Sequence, residues 1–180
     1  MRSPLHSFLS GHGAVPRANA APPRSAQRAQ ARAALDRLIA GLLEYIPGVF
    51  EESGYHSPTA IFLRDGQADP VDIRWSGDDP AELDAAYRDL RAYRTGCDGV
   101  VVVTQGELTR LDGAMAGETY PVLGVVVERT GVPGGESYFW PIIERDGAAP
   151  TLGPRTRHST LPRETRLVLS DPGAKRSMSS

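Results

Sequence analysis

The sequence predicts a single α+β domain in which two helices pack on a mixed sheet of about five strands, in the order α-β-β-α-β-(β)-β-β. Three observations carry that expectation. Leu35, Leu38, Ile39, Leu42, Leu43 and Ile46 recur at the three-and-four spacing of one helix face. Asp79-Pro80-Ala81-Glu82 reads as a helix start, with an oxygen-bearing cap, a proline whose missing N–H is not needed there, and a first-turn acid. Val100–Val103 and Val122–Val127 are nearly continuous β-branched runs, the pattern of strands covered on both faces.

Taken in order, residues 1–24 are rich in Pro, Gly, Ala and Ser and have no sustained periodicity, so they read as a disordered basic leader. Phe8-Leu9 falls well short of the roughly 7–15 apolar residues a secretory signal needs. A cytoplasmic location is expected, with organellar targeting left open by the leader's charge alone. The folded domain is expected over 25–170. Its first helix begins with solvated turns (Gln27, Arg28, Gln30, Arg32) and is expected to stop at Pro47-Gly48. Thr59–Arg64 is a short apolar strand, and residues 65–70 are a loose hairpin connection. Val71, Ile73 and Trp75 alternate with Asp72 and Arg74, as a half-buried strand would. The second helix turns Leu83, Ala86, Tyr87 and Leu90 inward and ends near Thr95-Gly96. Joining that strand to the Val100 strand, it predicts a parallel, right-handed crossover. Glu136–Ile143 carries Pro141, which predicts an edge strand or a bulge there. Leu167–Leu169 is expected to add a last short strand, and residues 171–180 a disordered tail.

Charge narrows the partners. Nineteen Arg against the single Lys175 reflect a GC-rich genome more than a binding task. Residues 1–35 hold five Arg and no acid, whereas residues 36–171 hold 13 Arg and 22 acids. A body that acidic disfavours nucleic-acid binding, which is led by Lys and Arg contacts to phosphate. The apolar run Ile39–Leu43 is far shorter than the roughly 20 residues of a membrane span. Cys97 is the only cysteine and has no disulfide partner within the chain.

Chemical motifs are scarce. His6, His12, His56 and His158 are scattered without metal-ligand spacing, and Asp65, Asp69 and Asp72 lack the alternation of a calcium loop. The Asp-Gly pairs at Asp65, Asp98, Asp112 and Asp146 read as turns. The glycines of 113–117 and 131–135 lack the Lys-Ser/Thr of a phosphate loop. No cofactor and no metal are expected. Cys97, placed after a helix C-terminus, is expected to have a raised thiol pKa and a structural role. The most suggestive stretch is 51–57, where Glu52, Tyr55 and His56 are the candidate catalytic groups for acid–base work. The same residues also make an ordinary solvated loop. Residues 155–160 place Arg155 and Arg157 before Ser159 and Thr160, either as a kinase-type sequence or as a plain exposed connection.

The stretch from Leu35-Asp-Arg-Leu38 to Ile46-Pro-Gly48, with a later strand ending Arg64-Asp-Gly66, resembles the opening of Roadblock-type domains over about residues 35–129. That resemblance implies a small dimeric scaffold. The chain departs from it by inserting 51–58 before the first strand and by lacking an apolar closing helix, so no functional residue is carried over. The favoured function is a non-enzymatic binding or regulatory protein. The rivals are an enzyme with its site near Tyr55–His56, a Roadblock-like scaffold, and a component delivered by the leader. Tyr138, Phe139 and Trp140 alternate between sheet faces, so an edge strand there predicts a contact surface, most simply a two-fold homodimer or a protein partner. Otherwise the first helix or residues 150–170 cover it. The enzyme reading requires a pocket with His56 or His158 beside a carboxylate.

Overall fold

Pro47 does not end the first helix. In the computed structural model, which describes residues 24–75, 79–110, 117–158 and 167–169, helix α1 runs Arg24–Ser53 with Pro47 inside it. The proline sacrifices one intrahelical bond, a cost of about 3 kcal/mol in an exposed helix. Beyond it, Phe50 is fully buried beside the equally buried Ile46, and burying one such ring returns about 2–3 kcal/mol. Tertiary packing therefore carries the helix past the point where local sequence would stop it. The real terminus is Gly54, whose φ of 69° turns the chain while its N–H bonds to the Phe50 carbonyl at 2.7 Å. At the other end residues 25–33 are all exposed, as the polar early turns require.

The remaining elements are β1 (Thr59–Arg64), β2 (Gln67–Asp72), α2 (Pro80–Arg91), β3 (Gly99–Thr109), β4 (Thr119–Arg129), β5 (Gly135–Arg145), β6 (Ala148–Leu152) and β7 (Thr156–His158). The α+β class is as expected, but among the described residues the sheet has seven strands and every pairing is antiparallel. Strand order is β2-β1-β3-β4-β5-β6, with β7 also on β5. The expected mixed sheet is thus corrected, although the crossover through α2 does join strands of one direction. β2 and β3 do point the same way, but β1 lies between them and pairs with both.

Burial explains that insertion. β1 is apolar and buried along nearly its whole length, so it needs a neighbour on each side. β2 is exposed at every position but one and contains Pro70, which suits only an edge. The 65–70 connection is also tighter than expected. Asp65 (φ 49°) and Gly66 (φ 77°) form a two-residue turn of the mirror-image type favoured in hairpins, which moves β2 forward to Gln67. Ile73–Trp75 then lie beyond the strand, with Ile73 still donating to the Pro58 carbonyl at 2.9 Å.

The layers are helix, sheet, helix. On one face α1 lays Ile39, Leu43, Ile46 and Phe50 over Ile61, Leu63, Val101, Val103, Leu123, Val125, Val127, Tyr138 and Trp140. On the other, Tyr87 and Leu90 of α2 join Ala60, Phe62, Ile73, Cys97, Val100, Val102 and Val168. β3 and β4 are accordingly covered on both faces. The strand start at Gly99 is also a close approach, since a Cβ there would lie 2.8 Å from the Glu128 carbonyl oxygen.

β5 is not an edge. Its first half pairs with β7 and its second half with β6. Pro141 sits where one partner gives way to the other, and its carbonyl accepts from the Gly153 N–H at 2.7 Å. The missing proline N–H therefore falls in the gap and interrupts nothing. Tyr138 and Trp140 lie under α1, while Phe139 meets His158 edge-on at 5.4 Å on the opposite face. All three are buried. The aromatic edge from which a two-fold contact was expected is covered by the chain itself. Leu167–Leu169 is likewise no strand but a bend, held by side chains described below. Gly113, Ser159 and Thr160, the leader to residue 23 and the tail from 170 fall outside the described residues.

Candidate functional site

The stretch between α1 and β1 brings Glu52, Tyr55 and His56 near one another in sequence but does not join them. Glu52 is exposed on the last turn of α1, and Tyr55 is 55% exposed. Ser53 organises the turn by donating to the Val49 carbonyl at 2.8 Å and by receiving the Tyr55 N–H at 3.2 Å. The His56 backbone N–H donates to the Gln105 side-chain oxygen at 2.9 Å, and its Nδ1 faces the Ser57 carbonyl at 2.7 Å. A carbonyl only accepts, so Nδ1 donates in that contact, and among the described residues no carboxylate bonds the ring. Gln105, on β3, has the structural role of pinning this turn to the sheet.

A different concavity is built around α2. Asp79 caps the helix in extended conformation (φ −113°, ψ 116°), its side chain accepting from the Ala81 N–H at 2.8 Å with Pro80 in the first turn. That start aims α2 across the sheet so that Tyr87 and Leu90 enter the core. The face toward the β2 edge does not close. It leaves a groove of about 940 Å³ between α2 and residues 71–75, lined by Val71, Ile73, Trp75, Ala86, Leu90 and Tyr93. Asp72, Glu82 and Asp89 also line it, against one cation among the described residues, Arg74. Among the described residues the buried Trp75 indole Nε1 has no hydrogen-bond partner. Tyr93 is 47% exposed and rests on Phe62 at 5.7 Å between centroids. Neither His56 nor His158 lines this groove.

A second polar cluster lies across the sheet, at the β7 edge. Glu136 accepts from the Tyr138 hydroxyl at 2.7 Å and pairs with Arg157 at 3.1 Å and Arg129 at 3.4 Å. Arg129 also reaches Asp36 of α1 at 3.1 Å. The Tyr138 bond, followed by the two arginines, holds the Glu136 carboxyl below its ordinary value. Burial first, and the Glu136 bond second, push the Tyr138 phenol up. Arg155 and Arg157 lie over the same ring at 5.6 and 5.9 Å. A phenol with a raised pKa is a poor base at neutral pH, and the two guanidinium groups lie over its ring. The cluster fastens β7 and α1 to the sheet.

Cys97 is 5% exposed, and its thiol lies 3.2 Å from the Tyr93 carbonyl as donor. Its pKa is raised, chiefly by burial, whereas the sequence argument had assigned that direction to the helix terminus. Among the described residues no three His, Cys, Asp or Glu side chains gather as metal ligands would. No helix among them is long and apolar enough to cross a membrane.

Sequence reasoning missed the groove because it needs β2 at an edge and α2 on the opposite face from α1. One signal was available. Asp72, Trp75, Glu82 and Asp89 flank a single short connection, so an acid-rimmed aromatic site could have been inferred from α2 folding back over the residues before it. No known protein family, curated protein or solved structure matches the chain.

Proposed function

We propose that this chain is a non-enzymatic binding protein whose groove between α2 and residues 71–75 takes an apolar, positively charged segment of a protein partner. The observation that carries this reading is the lining itself. An aliphatic and aromatic floor is rimmed by three carboxylates and one guanidinium in a space of about 940 Å³, within the size range of ligand sites. The floor favours apolar groups, and Trp75 and Tyr93 offer ring faces that attract cations. The rim repels acids and steers cations, an effect strongest at low salt. Among the described residues, the polar part of the lining is Asp72, Glu82, Asp89, Arg74 and the Tyr93 phenol.

Trp75 supplies the readout. In a Trp140→Phe background, the tetrapeptide acetyl-Arg-Leu-Phe-Arg-amide is expected to change Trp75 fluorescence saturably, and its Glu-for-Arg counterpart to have no effect. Binding should weaken as salt rises and on Asp72→Asn with Asp89→Asn. Equal binding of both peptides, or of neither, refutes the proposal.

A further inference from the structure

The groove's demands are met within this chain. Residues 2–9, Arg-Ser-Pro-Leu-His-Ser-Phe-Leu, combine the Arg2 guanidinium and the His6 imidazole with the apolar Leu5, Phe8 and Leu9. Phe8 is the first Phe, Tyr or Trp of the sequence, and the next is Tyr45. No acid precedes Asp36, whereas residues 36–171 hold 13 Arg and 22 acids. The opening residues are therefore drawn to the body by its charge. In the groove an aliphatic and aromatic floor coincides with three of those carboxylates, Asp72, Glu82 and Asp89.

Reach permits the contact. Leu35 packs beside Gly99 at the start of β3, and residues 25–33 before it are exposed. Helix α1 thus overhangs that end of the sheet by about 16 Å, at roughly 1.5 Å per residue. At the same end Leu63 pairs with Gly99, and Arg64 donates to the carbonyl of Tyr93, which lines the groove. With packed layers about 10 Å apart, the path from the start of α1 to the groove is about 25–30 Å. Residues 10–23 extend to about 45 Å, which spans it with slack. Resting on the reading that this groove receives basic, apolar segments, we propose that residues 2–9 of the same chain fold back into it, and that a partner's segment binds by displacing them. Leu5, Phe8 and Leu9 meet the floor beside Trp75 and Tyr93, and Arg2 and His6 meet the carboxylate rim. A tether of this kind presents its segment at an effective concentration on the order of 1 mM. Even a contact with a Kd of about 100 μM then closes the groove about nine-tenths of the time.

Trp75 fluorescence in the full chain carrying Trp140→Phe reads the outcome. The tetrapeptide acetyl-Arg-Leu-Phe-Arg-amide is titrated against that chain and against its Arg2→Glu, Phe8→Ser variant, whose two changes touch no residue of α1, α2 or the sheet. The variant is expected to bind the tetrapeptide about tenfold more tightly, because a groove open one-tenth of the time weakens apparent affinity in that proportion. The difference should narrow as salt rises. A synthetic peptide of residues 2–9 should bind the variant, compete with the tetrapeptide, and lose its hold when Asp72→Asn and Asp89→Asn are added. Equal tetrapeptide affinity for the two chains overturns the proposal and leaves the reading of the groove standing. A 2–9 peptide that does not compete overturns it equally. Tetrapeptide binding to neither chain removes the groove reading and the proposal with it. A difference that closes on dilution of the chain with its native leader means that a second copy's leader fills the groove, and overturns the fold-back.

Discussion

Glu128→Gln is the substitution that asks most of this structure. It keeps the shape of the side chain and one acceptor oxygen, but turns an amide NH₂ toward a backbone N–H that now bonds a carboxylate oxygen. Glu128 receives two such N–H groups, from Val168 and Leu169, while 1% exposed. A hydrogen bond to a charged group contributes about 1.5–3 kcal/mol, and a buried donor left unpaired costs about 1–3 kcal/mol. Losing one such bond and stranding its donor, with some relaxation of the segment, gives about 3 kcal/mol. That is a large part of a typical domain's 5–15 kcal/mol, and for a chain of 180 residues it lowers Tm by about 6–12 °C. Urea unfolding at neutral pH, read by tryptophan fluorescence and extrapolated linearly, measures it. A double-mutant cycle with Val168→Ala adds a second check. If residues 167–169 dock as a unit, the two losses overlap and the pair costs less than the sum of the singles. A loss for Glu128→Gln below about 1 kcal/mol, the ordinary worth of one neutral hydrogen bond, would refute the claim that the carboxylate holds this segment.

Three further outcomes follow from the geometry. Gly99→Ala should cost about 1–3 kcal/mol in the same urea assay, because its Cβ would meet the Glu128 carbonyl oxygen at 2.8 Å and neither strand can retreat without breaking the ladder. Pro47→Ala should stabilise the chain by about 1 kcal/mol or more, since it restores a helical N–H at a position where α1 is already continuous; a loss would mean that the proline bend itself seats Phe50. Glu136, its folded pKa held below the ordinary 4.5, contributes stability that is complete above that value and lost as pH falls through the lower folded value. The stability gap between the unaltered chain and Glu136→Gln should therefore be widest at neutral pH and close in acid, and a gap unchanged by acid would contradict the pairing.

How far the sequence foretells this molecule depends on the range of the forces at each place. The α2 cap is set by residues two apart, Asp79 and Ala81, and was legible. The buried runs of β1, β3 and β4 were legible because apolar strands announce themselves wherever they finally pair. The continuation of α1 was not, because the stop written at Pro47 is overridden by Phe50 meeting a sheet formed much later in the chain. β6 and β7 were not, because Ala-Ala-Pro-Thr-Leu and Thr-Arg-His carry little strand preference of their own and take their shape from β5. Glu128 is the instructive case. It follows Val122–Val127 and, by strand alternation, shares a side with Val126, toward α2 and away from α1. A strand read as covered on both faces, yet ending in an inward acid, already demanded a buried donor pair from elsewhere in the chain. Periodicity could state that demand, but the donors lie about forty residues on, at Val168 and Leu169, in a segment whose apolar spacing suggested a strand. The polar residue that breaks an apolar pattern thus marks a long-range contact that no local preference can identify.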